Sequence, residues 1–387
     1  MNTMQKGTIA LLKSALLQSA EPLPEAFDLE EAYPVLGNHH MDALLYEGAL
    51  LCRVDPQLPV MKRLFQNYCR SVLVSEGQLQ AAGKIFDAFD REQIDYLPLK
   101  GCKMKALYPK AELRMMGDAD ILIRMEQYPR IIPIMQQLGF QAGVESDHEL
   151  HWHSKKLFVE LHKRVIPSYN KDFYAYFGDG WQLAQSCGGS RYTMTAEDEM
   201  VYLFTHFAKH YRDGGIGCRH VVDLWVFRKR HPQLQEETVL EALEKLHLRQ
   251  FYENICRLLE VWFADASADE QVDFITDFIF AGGSWGKQKD HITSSGVRDH
   301  SGKNARLRYV LRLALPGVEA LKGKYTILQK APWMLPAVWV YRPFYKLLSR
   351  KERQTLKAHK RNLQILSAEN VQTRQQALQY VGLDYHF

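Results

Sequence analysis

Three features of the sequence predict an α+β fold: helical periodicity over roughly the first ninety residues, short alternating apolar segments between residues 94 and 170, and renewed helical periodicity after Pro167. The expected division is an N-terminal helical region at 1–93, a strand-bearing core at 94–170, and a C-terminal helical region at 171–387 that includes a loop at 281–304.

The elements follow in order. Ile9 to Leu17 is apolar but interrupted by Lys13, which suits an amphipathic helix better than a signal peptide. A long helix is expected from about Asn67 to Gln93, where Val72, Leu79, Ala82, Ile85, Phe86 and Phe89 recur at helical spacing. Tyr96 to Lys100 reads as a short strand closed by Gly101, and Lys103 to Tyr108 as a short helix. A second strand runs from Asp118 to Ile123, a helix spans about Gln127 to Leu138 and stops at Gly139, and a third strand starts near Phe140. His148 to His153 and Lys156 to His162 both alternate and are expected to pair as a hairpin. Helices are then predicted at Ala196 to Tyr211, Gly217 to Arg230, Thr238 to Leu246, Phe251 to Phe263 and Asp269 to Phe280. Ala281 to Asn304 mixes glycine, serine and charge without an apolar period and reads as an exposed loop. Helices resume at Ala305.

Composition narrows the class. Of 387 residues, 46% are hydrophobic and 24% charged, which describes a globular chain rather than a disordered one. Forty-nine Lys and Arg against 45 Asp and Glu give +4, too small an excess to call for a nucleic-acid partner. The basic run Arg342, Lys346, Arg350, Lys351, Arg353, Lys357, Lys360 and Arg361 is read as a solvated helix face. Six cysteines without a Cys-x-x-Cys pair exclude a zinc ribbon and a dithiol motif, so reduced thiols and a cytoplasmic setting are expected. Pro332 to Tyr341 is apolar but falls far short of the roughly 20 residues of a spanning helix.

The chemistry concentrates at Arg114-Met-Met-Gly-Asp-Ala-Asp-Ile-Leu-Ile-Arg124. Asp118 and Asp120 are two residues apart at the mouth of an apolar strand, so they share a face and can converge on one pair of cations. Taken alone, an Asp-x-Asp pair is a weak signal. Here it is flanked by Leu-Lys-Gly at 99 to 101 and Val-Glu-Leu-His at 159 to 162.

Those three phrases in order resemble the uncharacterised nucleotidyltransferase family of the polymerase-beta-like superfamily, over about residues 70 to 230. The resemblance implies a small mixed nucleotidyltransferase sheet on which Asp118, Asp120 and Glu160 hold two Mg2+ ions, an oxygen set that magnesium prefers. It implies transfer of a nucleoside monophosphate from a triphosphate, with ATP the expected donor, to a hydroxyl, with two ions about 3.5 to 4 Å apart. The acceptor is left open among a small molecule, a glycan, a peptide and a protein. By the same analogy Gly101 admits the triphosphate close to the chain, helix-start amides face its oxygens, and Lys100 and Arg114 add positive charge. The competing readings make Lys100 an exposed strand end, Arg114 an ion-pair partner of Asp118 or Asp120, and Glu160 the solvent face of an edge strand. The superfamily usually has Gly-Ser at this turn, whereas this chain has Gly101-Cys102 and lacks the serine hydroxyl. Removing one charge from a crowded acidic cluster should relieve repulsion, so Asp120→Asn is expected to abolish transfer with little loss of fold.

Two other readings compete: a catalytically silent nucleotide sensor or interaction module on the same fold, and a metal hydrolase built on His206 and His210. The histidines are four apart on a predicted helix but lack the glutamate of His-Glu-x-x-His. Glu149, His151 and His153 also alternate along one strand and are read as a polar sheet face.

Overall fold

The computed structural model describes residues 1–283, 286–298, 305–321, 325–348, 359 and 361–386. The chain forms two compact units, one of residues 1–211, 215–286 and 381–387, the other of residues 212–214 and 287–380.

The first unit begins with helices α1 (Thr3–Leu17), α2 (Leu29–Leu36), α3 (Asp42–Leu51) and α4 (Pro59–Arg91). Pro59 starts α4 because its missing N–H would be unpaired in a first turn anyway, so the helix runs eight residues N-terminal of the expected Asn67. The sheet follows: β1 (Tyr96–Pro98), α5 (Lys100–Leu107), β2 (Ala119–Ile123), α6 (Tyr128–Gln137), β3 (Gln141–Glu145), β4 (Glu149–His153) and β5 (Phe158–His162). Its order is β1-β2-β5-β4-β3. β2 and β5 run parallel, while β1 with β2, β5 with β4, and β4 with β3 are antiparallel, so the sheet is mixed.

Alternation divides this sheet into two chemistries. Ile121, Ile123, Val159, Leu161, Leu150 and Trp152 pack in one cluster with Ala82, Ile85, Ala88 and Phe89 of α4 and Ile131, Ile134 and Met135 of α6. Asp120, Glu160 and His162 have the opposite parity and face away from that cluster. Apolar burial on one face is therefore what sets the register, since a slip of one residue would turn the carboxylates into the core.

After the sheet come α7 (Lys171–Phe177), a short hairpin of β6 (Gln185–Ser186) and β7 (Tyr192–Thr193), and helices α8 (Ala196–Asp213), α9 (Cys218–Arg230), α10 (Glu236–Lys245), α11 (Arg249–Phe263) and α12 (Glu270–Gly282). The helices match the periodicity, but the hairpin interrupts a region expected to be wholly helical. Each of its strands is two residues long, too short to show alternation.

In the second unit Gln288–Arg298 forms a helix, α13, where an exposed loop was expected. Its Thr293, Ser294, Gly296 and Val297 are buried and it packs on the helix Ala368–Tyr380, so tertiary contact overrides weak local propensity. Residues 284, 285 and 299–304 of the expected loop lie outside the described residues, as do Arg350, Lys351, Arg353, Lys357 and Lys360 of the basic run. All six cysteines are free thiols. Among the described residues no helix is long and apolar enough to cross a membrane.

Candidate functional site

The parallel pairing of β2 with β5 builds the site. Asp120 lies directly opposite Glu160 in register, one strand spacing away, and Asp118 immediately precedes β2, close enough to feel both charges. His162, two residues beyond Glu160, places Nε2 at 3.0 Å from Asp120 Oδ1 and at 3.6 Å from Glu160 Oε2. Asp120, Glu160 and His162 each offer a ligand atom within 4.8 Å of the others.

Lys100 is not an exposed strand end. It is the first residue of α5, and its Nζ donates to Asp120 Oδ1 at 2.6 Å. Burial would raise the Asp120 carboxyl, but the Lys100 ammonium and the His162 imidazole outweigh it and hold the group below its usual range. Burial would likewise lower His162, yet its bonds to Asp120 and Glu160 push it up to about 9. Asp118 behaves in the opposite way. Burial first, then the neighbouring Asp120 charge, pushes its carboxyl up to about 6. One aspartate is thus neutralised by cations and the other is crowded by anions.

The polar face extends along β4. Glu149 accepts from His148 at 2.9 Å and from His151 at 3.0 Å, and His151 lies 3.9 Å from Glu160. Burial opposes ionisation of Glu149, but the two histidines hold it down to about 2. Two members of the alternating Glu149, His151, His153 set therefore reach the site, while His153 is exposed at the strand end.

Gly101 is fixed by close approach rather than by an unusual backbone angle. A Cβ there would stand 2.8 Å from the Asp118 carbonyl oxygen and 3.3 Å from Met116 Sδ. Gly101→Ala is expected to cost about 1 to 3 kcal/mol through overpacking and to displace Asp118 enough to lower any activity about 100-fold. Thermal melts alongside magnesium-dependent ATP titration check both effects. Burial pushes the adjacent Cys102 thiol up to about 11, so it stays protonated and is no substitute anion.

Arg114 does not pair with Asp118 or Asp120. Its Nε and Nη2 donate to Asp223 Oδ1 and Oδ2 at 2.8 and 2.9 Å, and its Nη1 to the Gly101 carbonyl at 3.2 Å. Tyr108 donates to the same Asp223 at 2.7 Å. Buried Lys105 donates to the carbonyls of Ala111 and Arg114 at 3.1 and 2.6 Å. Arg114 therefore clamps the turn that carries Gly101 against α9.

Two further groups went unread in the sequence. Arg219, in the first turn of α9, makes one long bond to the Met115 carbonyl at 3.4 Å. Burial lowers its guanidinium, as does Arg114, while Asp223, Tyr108 and Asp118 act the other way. The Tyr202 hydroxyl is buried without a hydrogen-bond partner among the described residues. It is raised by burial first and lies within electrostatic reach of Lys100, Asp120 and Glu160. A lone arginine and a lone tyrosine carry no motif. Their only sequence signal is position on helices that follow the sheet.

A family model described as uncharacterised nucleotidyltransferase matches residues 25–264. The chain belongs to that family. The match spans the sheet, Asp118, Asp120, Glu160, and helices α8 and α9. No curated protein matches the chain. A solution structure of the antibiotic-resistance factor ANT(2'')-Ia is similar over 48% of this chain and 97% of that one, at 14% identity and a TM-score of 0.33.

Proposed function

We propose that this member of the family transfers a nucleoside monophosphate from ATP to a hydroxyl acceptor, using Asp118, Asp120 and Glu160 to hold two magnesium ions. The observation that carries the reading is the in-register pairing of Asp120 with Glu160 on parallel strands, with Asp118 within electrostatic reach of both.

The residues present fit divalent cations. Asp120 Oδ2 is buried and accepts no hydrogen bond among the described residues, while Oδ1 already holds an ammonium. Carboxylate oxygens suit magnesium, which takes few protein ligands and completes its shell with water and phosphate. When bound, the ions would neutralise triphosphate oxygens and lower the pKa of the acceptor hydroxyl.

The chain's own groups would do the rest. Lys100 and the amides at the start of α5, which no N-cap side chain satisfies, would face anionic oxygen. His162 positions Asp120 through its 3.0 Å bond. Arg114 is neutralised by Asp223, whereas Arg219 is in no ion pair among the described residues, and it would bind the triphosphate. Arg219→Ala should weaken ATP binding about 10- to 100-fold, the range for a lost charged hydrogen bond, with little change in a urea melt.

In the reaction the acceptor oxygen bonds to the α-phosphorus, the bond from that phosphorus to the bridging oxygen breaks, the hydroxyl proton passes to water, and pyrophosphate departs with the bond's electron pair. ATP labelled at the α-phosphate should therefore label an acceptor in a cell extract, whereas γ-label should appear in pyrophosphate alone. Incorporation of γ-label would make the protein a phosphoryl transferase and overturn the proposal.

A further inference from the structure

The sheet face that carries Asp120 and Glu160 continues onto β4, and there it gains a nitrogen donor. His151 stands opposite Glu160 in the antiparallel register of β4 with β5, so Asp120, Glu160 and His151 form a row across three strands. Glu149, two residues before His151, shares its face. His151 Nε2 lies 3.0 Å from Glu149 Oε1 and 3.9 Å from Glu160 Oε1, and the three side chains each offer a donor atom within 4.8 Å of the others. Ligand atoms on one tetrahedral zinc stand about 3.3 Å apart, a spacing that the two distances bracket. The two oxygens of Glu160 also turn to different neighbours. Oε2 is 3.6 Å from His162, which bonds Asp120, whereas Oε1 is the atom that approaches His151. One carboxylate can therefore serve a cation on each side.

The surroundings hold these donors in place. Glu149 Oε2 accepts from His148 Nε2 at 2.9 Å, a bond that orients the carboxylate and leaves Oε1 for an ion. Phe158 meets the His151 ring edge-on, with ring centres 5.2 Å apart. On the other side β3 supplies a glycine: a Cβ at Gly143 would stand 3.1 Å from His151 Cβ, where the register of β3 shifts between Ala142 and Glu145. Irregularities of this kind re-aim side chains beside sites. The side chains of Glu149, Glu160 and His151 are 15, 17 and 24% exposed, so an ion can enter from solvent.

We propose that Glu149, His151 and Glu160 form a further cation site, beside the proposed magnesium pair and sharing Glu160 with it, for a late first-row divalent ion, zinc foremost. The nitrogen donor decides the ion. Imidazole suits zinc and its neighbours, whereas magnesium prefers an all-oxygen shell. On binding, the ion replaces the hydrogen between His151 Nε2 and Glu149 Oε1, that proton passes to water, and water completes the shell.

The test uses the full chain, stripped with chelator and titrated with zinc alone against a chromophoric competitor. One zinc per chain should bind. Affinity should fall about 100-fold in Glu149→Gln and in His151→Gln, and about 10-fold in His148→Ala, which removes only the orienting bond. It should keep the parent value in His153→Gln, whose side chain is exposed at the end of the same strand. No retained zinc, or an affinity that His151→Gln leaves unchanged, overturns the proposal. So does a loss confined to His162→Gln, which would seat the ion beside Asp120. Anomalous scattering from crystals of the zinc-loaded parent decides without any variant: a peak within about 2.3 Å of His151 Nε2 supports the site, and a peak elsewhere or none overturns it. Zinc is titrated without nucleotide, so this proposal and nucleotide transfer fail separately.

Discussion

Asp118→Asn and Asp120→Asn are both expected to silence transfer while moving stability in opposite directions. Each removes a carboxylate charge from the proposed cation site, and losing several kcal/mol of charge stabilisation slows transfer by about 1,000-fold. Stability separates them because the two charges have different neighbours. Asp120 is buried between the Lys100 ammonium and the His162 imidazole. An amide there strands two cations, and breaking a buried pair costs about 3 to 5 kcal/mol. The sequence-based expectation that Asp120→Asn spares the fold is therefore reversed. Asp118 is the crowded one. Its carboxyl is pushed up from 3.8 to about 6, so its charged form is disfavoured in the folded chain. In chelator the parent should lose stability as pH rises from about 4 through 6, and Asp118→Asn should escape that loss, gaining on the order of 1 kcal/mol at neutral pH. Urea denaturation at pH 4, 6 and 7.5 measures both. Equal destabilisation of the two variants would contradict this electrostatic account.

Arg114→Lys should destabilise the protein nearly as much as Arg114→Ala. The site is bidentate, with both guanidinium arms on Asp223 and a third nitrogen on the Gly101 carbonyl, and an ammonium cannot reproduce that fork. The loss expected for a broken buried pair is about 3 to 5 kcal/mol. Activity should fall as well, because the turn at Gly101 loses its clamp. Acid should mimic the substitution. Burial opposes ionisation of Asp223, but Arg114 and Tyr108 hold its carboxyl below 3.8. A depressed acid stabilises fully above its usual value and loses that contribution as pH falls through the lower folded value. The parent should therefore weaken below about pH 4 while Asp223→Asn, already without the charge, shows a flatter acid limb; denaturation across pH 3 to 7 reads the difference.

Local pattern carried much of this. Strands β2 and β5 and the helices from α8 to α12 follow from alternation and helical spacing, and Asp120 and Glu160 lie opposite one another on one sheet face as their parity requires, with Asp118 just ahead of β2. What was illegible depends on distance along the chain. Arg114 meets Asp223 across 109 residues, and no periodicity encodes such a pairing. Arg219 acquires its character only because Asp223 is already occupied. The strand was read as running to Lys100 and closing at Gly101, whereas both residues lie in the first helical turn of α5, with Gly101 beneath the Asp118 carbonyl. In α13 the β-branched, serine and glycine content hides a helix that exists through contact with another helix.

Asp120 and His162 are forty-two positions apart in the chain, and β5 joins them by lying between β2 and β4. Parallel neighbours demand a long crossover, and such contacts form late because the loop must close before they repay it. The acidic cluster is therefore expected to assemble late, with the apolar packing of the strands that carry it. On the proposed reading, a chain that ends before β5 would carry its aspartates without Glu160 or His162, so nucleotide binding should appear only once the sheet is complete.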